Sequence, residues 1–210
     1  MKIALLGYGK MGKAVEKVAL EKGHSCLIGL SDEADICIDF SSKNAVEQTA
    51  RSILIPWVLG TTGWDHAQVL PIVKKRGVPL LYSSNFSIGM ALFKSLLRLA
   101  KKLFSKHQLR GEELHHLHKK DAPSGTALEL MEEFEGLSFS SKREGTHVGT
   151  HRLLFCSEDE EITLEHRALN REIFAKGALL GAEWLLKKKG IFKLEQVVGD
   201  LWNIQDLSQH

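Results

Sequence analysis

The sequence predicts an α/β fold in which a parallel sheet formed by the first half of the chain is followed by a mixed or antiparallel sheet in the second. Three observations carry this. Ile3-Ala4-Leu5-Leu6 is apolar without polar alternation, as a strand buried on both faces is, and it runs straight into Gly7-Tyr8-Gly9-Lys10-Met11-Gly12. Apolar positions then recur at helical spacing (Met11, Ala14, Val15, Val18, Ala19) up to Gly23, and a second apolar run, Cys26 to Leu30, follows. Glu161 to Ala168, by contrast, alternates polar and apolar residues with the period of a half-buried strand.

Composition narrows the function. The 210 residues suffice for one large domain or two small ones, and 43% hydrophobic with 26% charged residues supports a packed core. A formal net charge of +2 is too small a basic excess to neutralise many phosphates, so nucleic acid is not the expected partner. No apolar run approaches the roughly 20 residues that cross a bilayer, so no membrane partner is expected either. The N-terminus enters its glycine loop too early for a secretion signal. Cys26, Cys37 and Cys156 have no metal-like spacing and leave one thiol over in any pairing. Buried thiols in a reducing, cytoplasmic compartment are expected.

Strand, Gly-x-Gly-x-x-Gly, helix, strand is the context in which this motif binds a dinucleotide. Gly7 makes the tight turn, Gly9 lets a pyrophosphate approach the backbone, and Gly12 lets helix and strand pack closely. The acid that holds the adenine ribose usually ends the second strand. Ser31, Asp32 and Glu33 are the candidates, with Asp32 at about the expected interval from Gly12. Ser31 would tolerate a 2′-phosphate, so NADH and NADPH both stay open.

Asp35 to Ser41 reads as the third strand, with almost no room for a crossover helix before it. Helical spacing resumes from Ala45 to Ser52. Trp57 to Gly60 is the fourth strand, ending in Gly60-Thr61-Thr62-Gly63. Val78 to Tyr82 is the fifth, ending in Ser83-Ser84-Asn85-Phe86-Ser87-Ile88-Gly89-Met90. Ligands of open parallel sheets bind beyond the carboxyl ends of the strands. The small residues and hydroxyls of these two loops could cover a nicotinamide and its ribose.

In the second half, Ala91 to Leu103 is a connecting helix and Leu109 to His118 is extended. Pro123 and Ser124 then punctuate the start of a helix over Thr126 to Glu133, with Ser124 as N-cap. The stretch from His115 to Ala127 carries the chemistry. His115, His116 and His118 offer imidazoles, Lys119 and Lys120 offer positive charge, and the helix head offers backbone N–H groups to an anion. Such a site suits a small dianion that is protonated during reaction, with His115 and Lys119 as the acid/base pair. A histidine with a pKa near the working pH is suited to that duty.

Zinc is rejected for the three clustered histidines, and no metal is expected. Neighbours on an extended strand point to opposite faces, no carboxylate or cysteine sits beside them at ligand spacing, and the lysines repel a dication. Arg143-x-Gly145 and Gly149-x-His151 precede an apolar strand, Leu153 to Cys156. Arg171, before a helix over Phe174 to Trp184, could pair bidentately with a carboxylate. Lys187-Lys188-Lys189-Gly190 reads as a basic helix end and a turn.

The chain resembles the 4-hydroxy-tetrahydrodipicolinate reductase family, also called dihydrodipicolinate reductases, nicotinamide enzymes of bacterial and plant diaminopimelate–lysine biosynthesis. The most specific part is Glu113-Leu114-His115-His116-Leu117-His118-Lys119-Lys120-Asp121-Ala122-Pro123-Ser124-Gly125-Thr126-Ala127. Asp39-Phe40-Ser41, Gly60-Thr61-Thr62-Gly63, Asn85-Phe86-Ser87-Ile88-Gly89 and Phe174-Ala175-x-Gly177-Ala178 occur in the family's order.

The resemblance implies a Rossmann-type parallel-sheet nucleotide domain (residues 1–86 and 171–210) with an inserted α+β domain (87–170) that binds substrate and builds a homotetramer. It implies that His115 is the proton donor/acceptor, Lys119 a proton donor and His116 a substrate contact. Gly125 and Thr126 would grip a substrate carboxylate, with Ser124, Arg171 and Thr62 beside it. Gly7, Tyr8, Gly9, Lys10, Met11 and Gly12, Gly60, Thr61 and Thr62, and Ser83, Ser84, Asn85 and Phe86 match the cofactor contacts, and Asp32 is the ribose candidate.

The implied reaction uses NADH or NADPH to deliver hydride to C4 of a cyclic imine dicarboxylate, with loss of water from the 4-hydroxy compound. The chain departs from longer family members in a shorter segment after the second strand and a compact one between Glu133 and Arg143. Two alternatives are another dehydrogenase of the same nucleotide fold acting on a small dicarboxylate, and a non-catalytic dinucleotide sensor.

Overall fold

A computed structural model describes residues 1–204. The expected nucleotide domain runs to residue 210, so its end, 205–210, lies outside the described residues. The chain divides into two compact units, Met1–Ile88 with Glu172–His210, and Gly89–Arg171.

The first unit is built on a six-stranded parallel sheet. Its strands are β1 (Lys2–Leu6), β2 (Ser25–Ile28), β3 (Ile36–Asp39), β4 (Trp57–Leu59), β5 (Leu80–Tyr82) and β10 (Ile191–Lys193), in the order β10-β5-β4-β3-β1-β2. The central strands are apolar throughout because helices cover them. Ile3, Ala4, Leu5, Ile36, Cys37, Ile38, Trp57, Val58 and Leu59 are all buried. Helices α1 (Lys10–Glu21), α2 (Lys43–Ser52), α3 (His66–Arg76), α6 (Glu172–Leu185) and α7 (Leu194–Trp202) complete the unit.

Helix α6 packs against β3, β4 and β5 through small residues. A Cβ on Gly177 would lie 1.8 Å from the Phe86 carbonyl oxygen, and one on Gly181 would lie 2.4 Å from Leu81. These approaches explain the glycines in the Phe174–Ala178 run and beyond it.

As the sequence predicts, no helix joins β2 to β3. The link crosses β1 as a turn in which the Ala34 N–H donates to the Ser31 carbonyl (3.2 Å) and the Asp35 carboxylate accepts from the Lys2 N–H (2.6 Å). Two features were not legible. Helix α3 carries Pro71 in its interior, which masks it as a breaker; Asp65 caps it by accepting from the Gln68 N–H (3.1 Å), and Gly77 ends it in the left-handed region. Beyond Gly190, where only a turn was expected, the chain adds edge strand β10 and helix α7.

The second unit holds helices α4 (Ile88–Leu103, whose first residue falls in the other unit) and α5 (Gly125–Glu133) and a four-stranded mixed sheet. The strands are β6 (Gln108–His115), β7 (Phe139–Arg143), β8 (Gly149–Cys156) and β9 (Glu161–Ala168), in the order β7-β6-β8-β9. β6 runs parallel to β7 and antiparallel to β8, and β8 is antiparallel to β9. Met90, Phe93, Leu97 and Ala100 of α4 and Leu130 of α5 share one core with Leu109, Leu153 and Phe155 of the sheet. Strand β7, Phe-Ser-Ser-Lys-Arg, is a polar edge without an apolar pattern, and sequence periodicity passed over it.

The register places Ser141 of β7 beside Glu113 of β6, Glu113 beside His151 of β8, and His151 beside His166 of β9. A polar row therefore crosses the sheet on the face that also carries Leu109, Leu153 and Phe155. Among the described residues, no helix is long and apolar enough to cross a membrane.

Candidate active site

Strand β6 alternates buried and exposed positions, so Leu109, Gly111, Glu113 and His115 share the buried face. Burying a carboxylate there demands donors, and Glu113, with no exposed side chain, has them. It accepts from the Ser124 N–H (3.1 and 3.2 Å to its two oxygens), the Ser141 hydroxyl (2.8 Å) and Arg143 Nη2 (2.9 Å). Burial alone would raise its pKa; the facing groups of His151, Ser124, Ser141 and Arg143 outweigh it and hold the carboxyl well below the usual range. Glu113 is ionised at neutral pH.

Two imidazoles face this carboxylate. His115 Nδ1 lies 3.7 Å and His151 Nε2 3.6 Å from Glu113 Oε2. The rings meet edge to face with centroids 5.3 Å apart. His115 lies over Gly149, where a Cβ would stand 3.0 Å from His115 Nε2. Burial, and then the His151 ring, push the His115 pKa down to about 4, against the pull of Glu113; Lys119 and Arg143 push the same way as burial. The ligand-free imidazole is therefore neutral at neutral pH.

Helix α5 begins at this cluster, after a cis Ala122–Pro123 bond. Ser124 is its N-cap, as predicted: its Oγ accepts from the Ala127 N–H (3.3 Å) and lies 3.2 Å from His151 Nε2. Its own N–H is held by Glu113. Ser124 therefore builds the helix head, and the Gly125 and Thr126 amides form the first turn beyond it, where a helix presents N–H groups to an anion.

Lys119 Nζ pairs with Asp121 (2.8 Å), and Arg143 also donates to the Asp121 carbonyl. His116 is half-buried, and its carbonyl accepts from the Lys119 N–H (3.1 Å) in a tight turn. Arg171 lies half-buried on the link between β9 and α6.

The zinc argument considered His115, His116 and His118 and found no carboxylate near them. In space the set is different: donor atoms of Glu113, His115 and His151 lie within 4.8 Å of one another. Glu113 stands two residues before His115 and so on the same strand face. Its oxygens are already engaged by a guanidinium, a hydroxyl and an amide, and a dication there would meet Arg143 directly. The donor set reads as a proton-handling cluster.

The first unit supplies the nucleotide cradle. Gly7 has φ +82°, and a Cβ on it would lie 2.3 Å from the Phe40 carbonyl oxygen. A Cβ on Gly12 would lie 2.2 Å from the Gly7 carbonyl oxygen, whereas one on Gly9 meets nothing within 4 Å. The first and third glycines thus serve packing, and the second borders open space. Gly9 caps α1 without a side-chain bond, and the first turn holds no acid, so its N–H groups fit a pyrophosphate. Tyr8, Lys10 and Met11 stand in this turn, with the Tyr8 hydroxyl bonded to Glu16.

Beyond β3 and β4, buried Asp39 accepts from the Ser41 N–H (2.8 Å) and the Thr61 hydroxyl (3.2 Å), tying the Gly60-Thr61-Thr62 loop to its neighbour. Beyond β5, Ser83 Oγ donates to the Asn85 carbonyl (2.8 Å), and Asn85 Oδ1 accepts from the Ser87 N–H (2.9 Å), shaping the loop that holds Ser84 and Phe86. Asp32 is exposed in the turn after β2.

A dinucleotide cradle in one unit and a cationic, imidazole-bearing anion site in the other define a nicotinamide-dependent reductase of α/β type. Models of the dihydrodipicolinate reductase family match residues 25–86 with their N-terminal part and 89–198 with their C-terminal part. The chain belongs to this family.

It is 35% identical to the 4-hydroxy-tetrahydrodipicolinate reductase of Christiangramia forsetii, over 96% of this chain and 99% of that one. It is 34% identical to that of Bdellovibrio bacteriovorus, over 94% and 96%. Its fold matches a dipicolinate-bound dihydrodipicolinate reductase from Paenisporosarcina sp. TG-14 with a TM-score of 0.75 at 20% identity, covering 92% of this chain and 98% of that one.

Sequence reasoning reached His115, Lys119 and the helix head but missed Glu113, Ser141, Arg143 and His151 as parts of one site. Strand alternation from His115 back to Glu113 was the available signal.

Proposed function

We propose that this chain reduces 4-hydroxy-tetrahydrodipicolinate to tetrahydrodipicolinate, with NADH or NADPH as reductant. The observation that carries the reading is the buried Glu113–His115–His151 cluster at the head of α5, in a chain of this family. The reduced nicotinamide supplies the hydride. Gly9 and the head of α1 hold its pyrophosphate in the turn that Gly7 and Gly12 shape, with Tyr8, Lys10 and Met11 in the same turn, and the Gly60–Thr62 and Ser83–Phe86 loops flank the nicotinamide end.

One substrate carboxylate takes the Gly125 and Thr126 amides, with His116 beside it. Lys119, exchanging Asp121 for the substrate, supplies positive charge to the other, supported by Arg171. Loss of water from the 4-hydroxy compound leaves a conjugated imine; as its C4 accepts hydride, negative charge grows on the ring system, and the Lys119 ammonium stabilises it. His115 or Lys119 then protonates the ring carbon.

The assembly is a homotetramer built through the second unit, and the three free thiols suit a cytoplasmic setting. The test is absorbance at the nicotinamide band with freshly generated substrate, run with NADH and with NADPH. Oxidation that 2,6-pyridinedicarboxylate inhibits competitively is expected; no oxidation with either cofactor refutes the reading.

A further inference from the structure

Two buried imidazoles share one carboxylate oxygen in this site, and the reaction as assigned accounts for only one of them. Ser124 Oγ accepts the Ala127 N–H and lies 3.2 Å from His151 Nε2. The Nδ1 atoms of His115 and His151 are both buried without a hydrogen-bond partner. Each ring therefore keeps one unpartnered nitrogen, while His115 Nδ1 lies 3.7 Å and His151 Nε2 3.6 Å from Glu113 Oε2.

The charged side chains around them are already paired. Glu113 of β6 is offset by Arg143 of β7, and Lys119 of the following loop by Asp121. From β9, His166 stands beside His151 in register, and burial, then His151, push its pKa down. Two substrate carboxylates arriving at the α5 head upset this balance by two negative charges. Two imidazoles beside a fixed carboxylate can answer by taking up a proton. Repulsion between the rings, 5.3 Å apart, limits them to one proton between them.

We propose that His151 is the proton-sharing partner of His115: the pair takes up one proton from solvent when the substrate dianion binds, and that proton is the one the reduction consumes. The balance closes. Hydride forms the new C4–H bond, the imidazolium N–H breaks as the neighbouring ring carbon gains its proton, and neutral imidazole and oxidised nicotinamide remain. His151 acts through His115 and is a positioning residue for the proton. This rests on the dicarboxylate reading of the α5 head.

Calorimetry with 2,6-pyridinedicarboxylate, already a dianion at pH 7.5, tests it in buffers of different ionisation enthalpy. Wild-type protein is expected to take up close to one proton per ligand. His115→Gln is expected to keep at least half of that uptake, carried by His151, and the His115→Gln/His151→Gln double variant to lose it. Binding without uptake, or uptake wholly lost in His115→Gln, overturns the proposal and leaves the functional reading intact; absence of any binding overturns both. Should the variants fail to fold, nitrogen-15 spectra of histidine-labelled wild type decide. Ligand is expected to move the ring resonances of both histidines, and movement of His115 alone overturns the sharing.

Discussion

Gly149→Ala tests whether the His115 ring must lie where it does. The added methyl would stand 3.0 Å from Nε2 and 3.3 Å from Cδ2 of His115, inside ordinary van der Waals separation. The ring has to give by a few tenths of an ångström. Its other side faces Glu113, which three donors hold in place. Misplacing a catalytic group by 1 Å costs on the order of 100-fold, so a shift of about 0.4 Å scales to roughly sixfold in kcat.

The backbone is not strained, because Gly149 lies outside the left-handed region. Overpacking then costs about 1 kcal/mol, which lowers Tm by about 2–4 °C in a chain of this size. Steady-state reduction assays give kcat, and a thermal melt gives the stability. A variant with wild-type kcat and Tm would refute the claim that Gly149 is there to make room for the His115 ring.

Three further outcomes are expected. Lys119→Ala lowers kcat by about 10²- to 10⁴-fold with the melt preserved; near-normal turnover removes Lys119 from the chemistry. Gly9→Val fills the open side of the cradle, so the cofactor KM rises at least about tenfold while stability stays within about 1 kcal/mol; an unchanged KM refutes the pyrophosphate assignment. Because the buried His115 imidazole has a pKa of about 4 against 6.5 when unfolded, the unfolded chain binds more protons between those values. Stability contributed by this group is full above pH 6.5 and declines as pH falls toward 4. The slope of Tm against pH in that window is expected to flatten in His115→Gln, and an unchanged slope refutes the shift.

The parallel half was legible because its signals are local. An apolar run, three glycines at fixed spacing and a helix follow one another within Ile3 to Gly23. The Ser124 cap was legible for the same reason. What escaped has no local signal. Strand β7 is Phe-Ser-Ser-Lys-Arg, a polar edge whose membership depends on pairing with β6. Helix α3 hides behind Pro71. The carboxylate hub joins residues from β6, β7, β8 and the α5 head, and only the sheet register brings Ser141 and His151 to Glu113. The zinc argument followed neighbours along the chain, whereas the neighbours that matter lie across the strands.

That register makes turnover a proofreader of folding. Side chains on a strand change face with every residue, so a one-notch slip of β8 against β6 would put Thr150 or Arg152 opposite Glu113 in place of His151. Such a mis-zipped molecule would keep nearly the same circular dichroism and lose the imidazole couple altogether. Specific activity after refolding therefore counts the molecules whose hydrogen-bond ladder closed on the right tooth, which a spectrum of secondary structure does not.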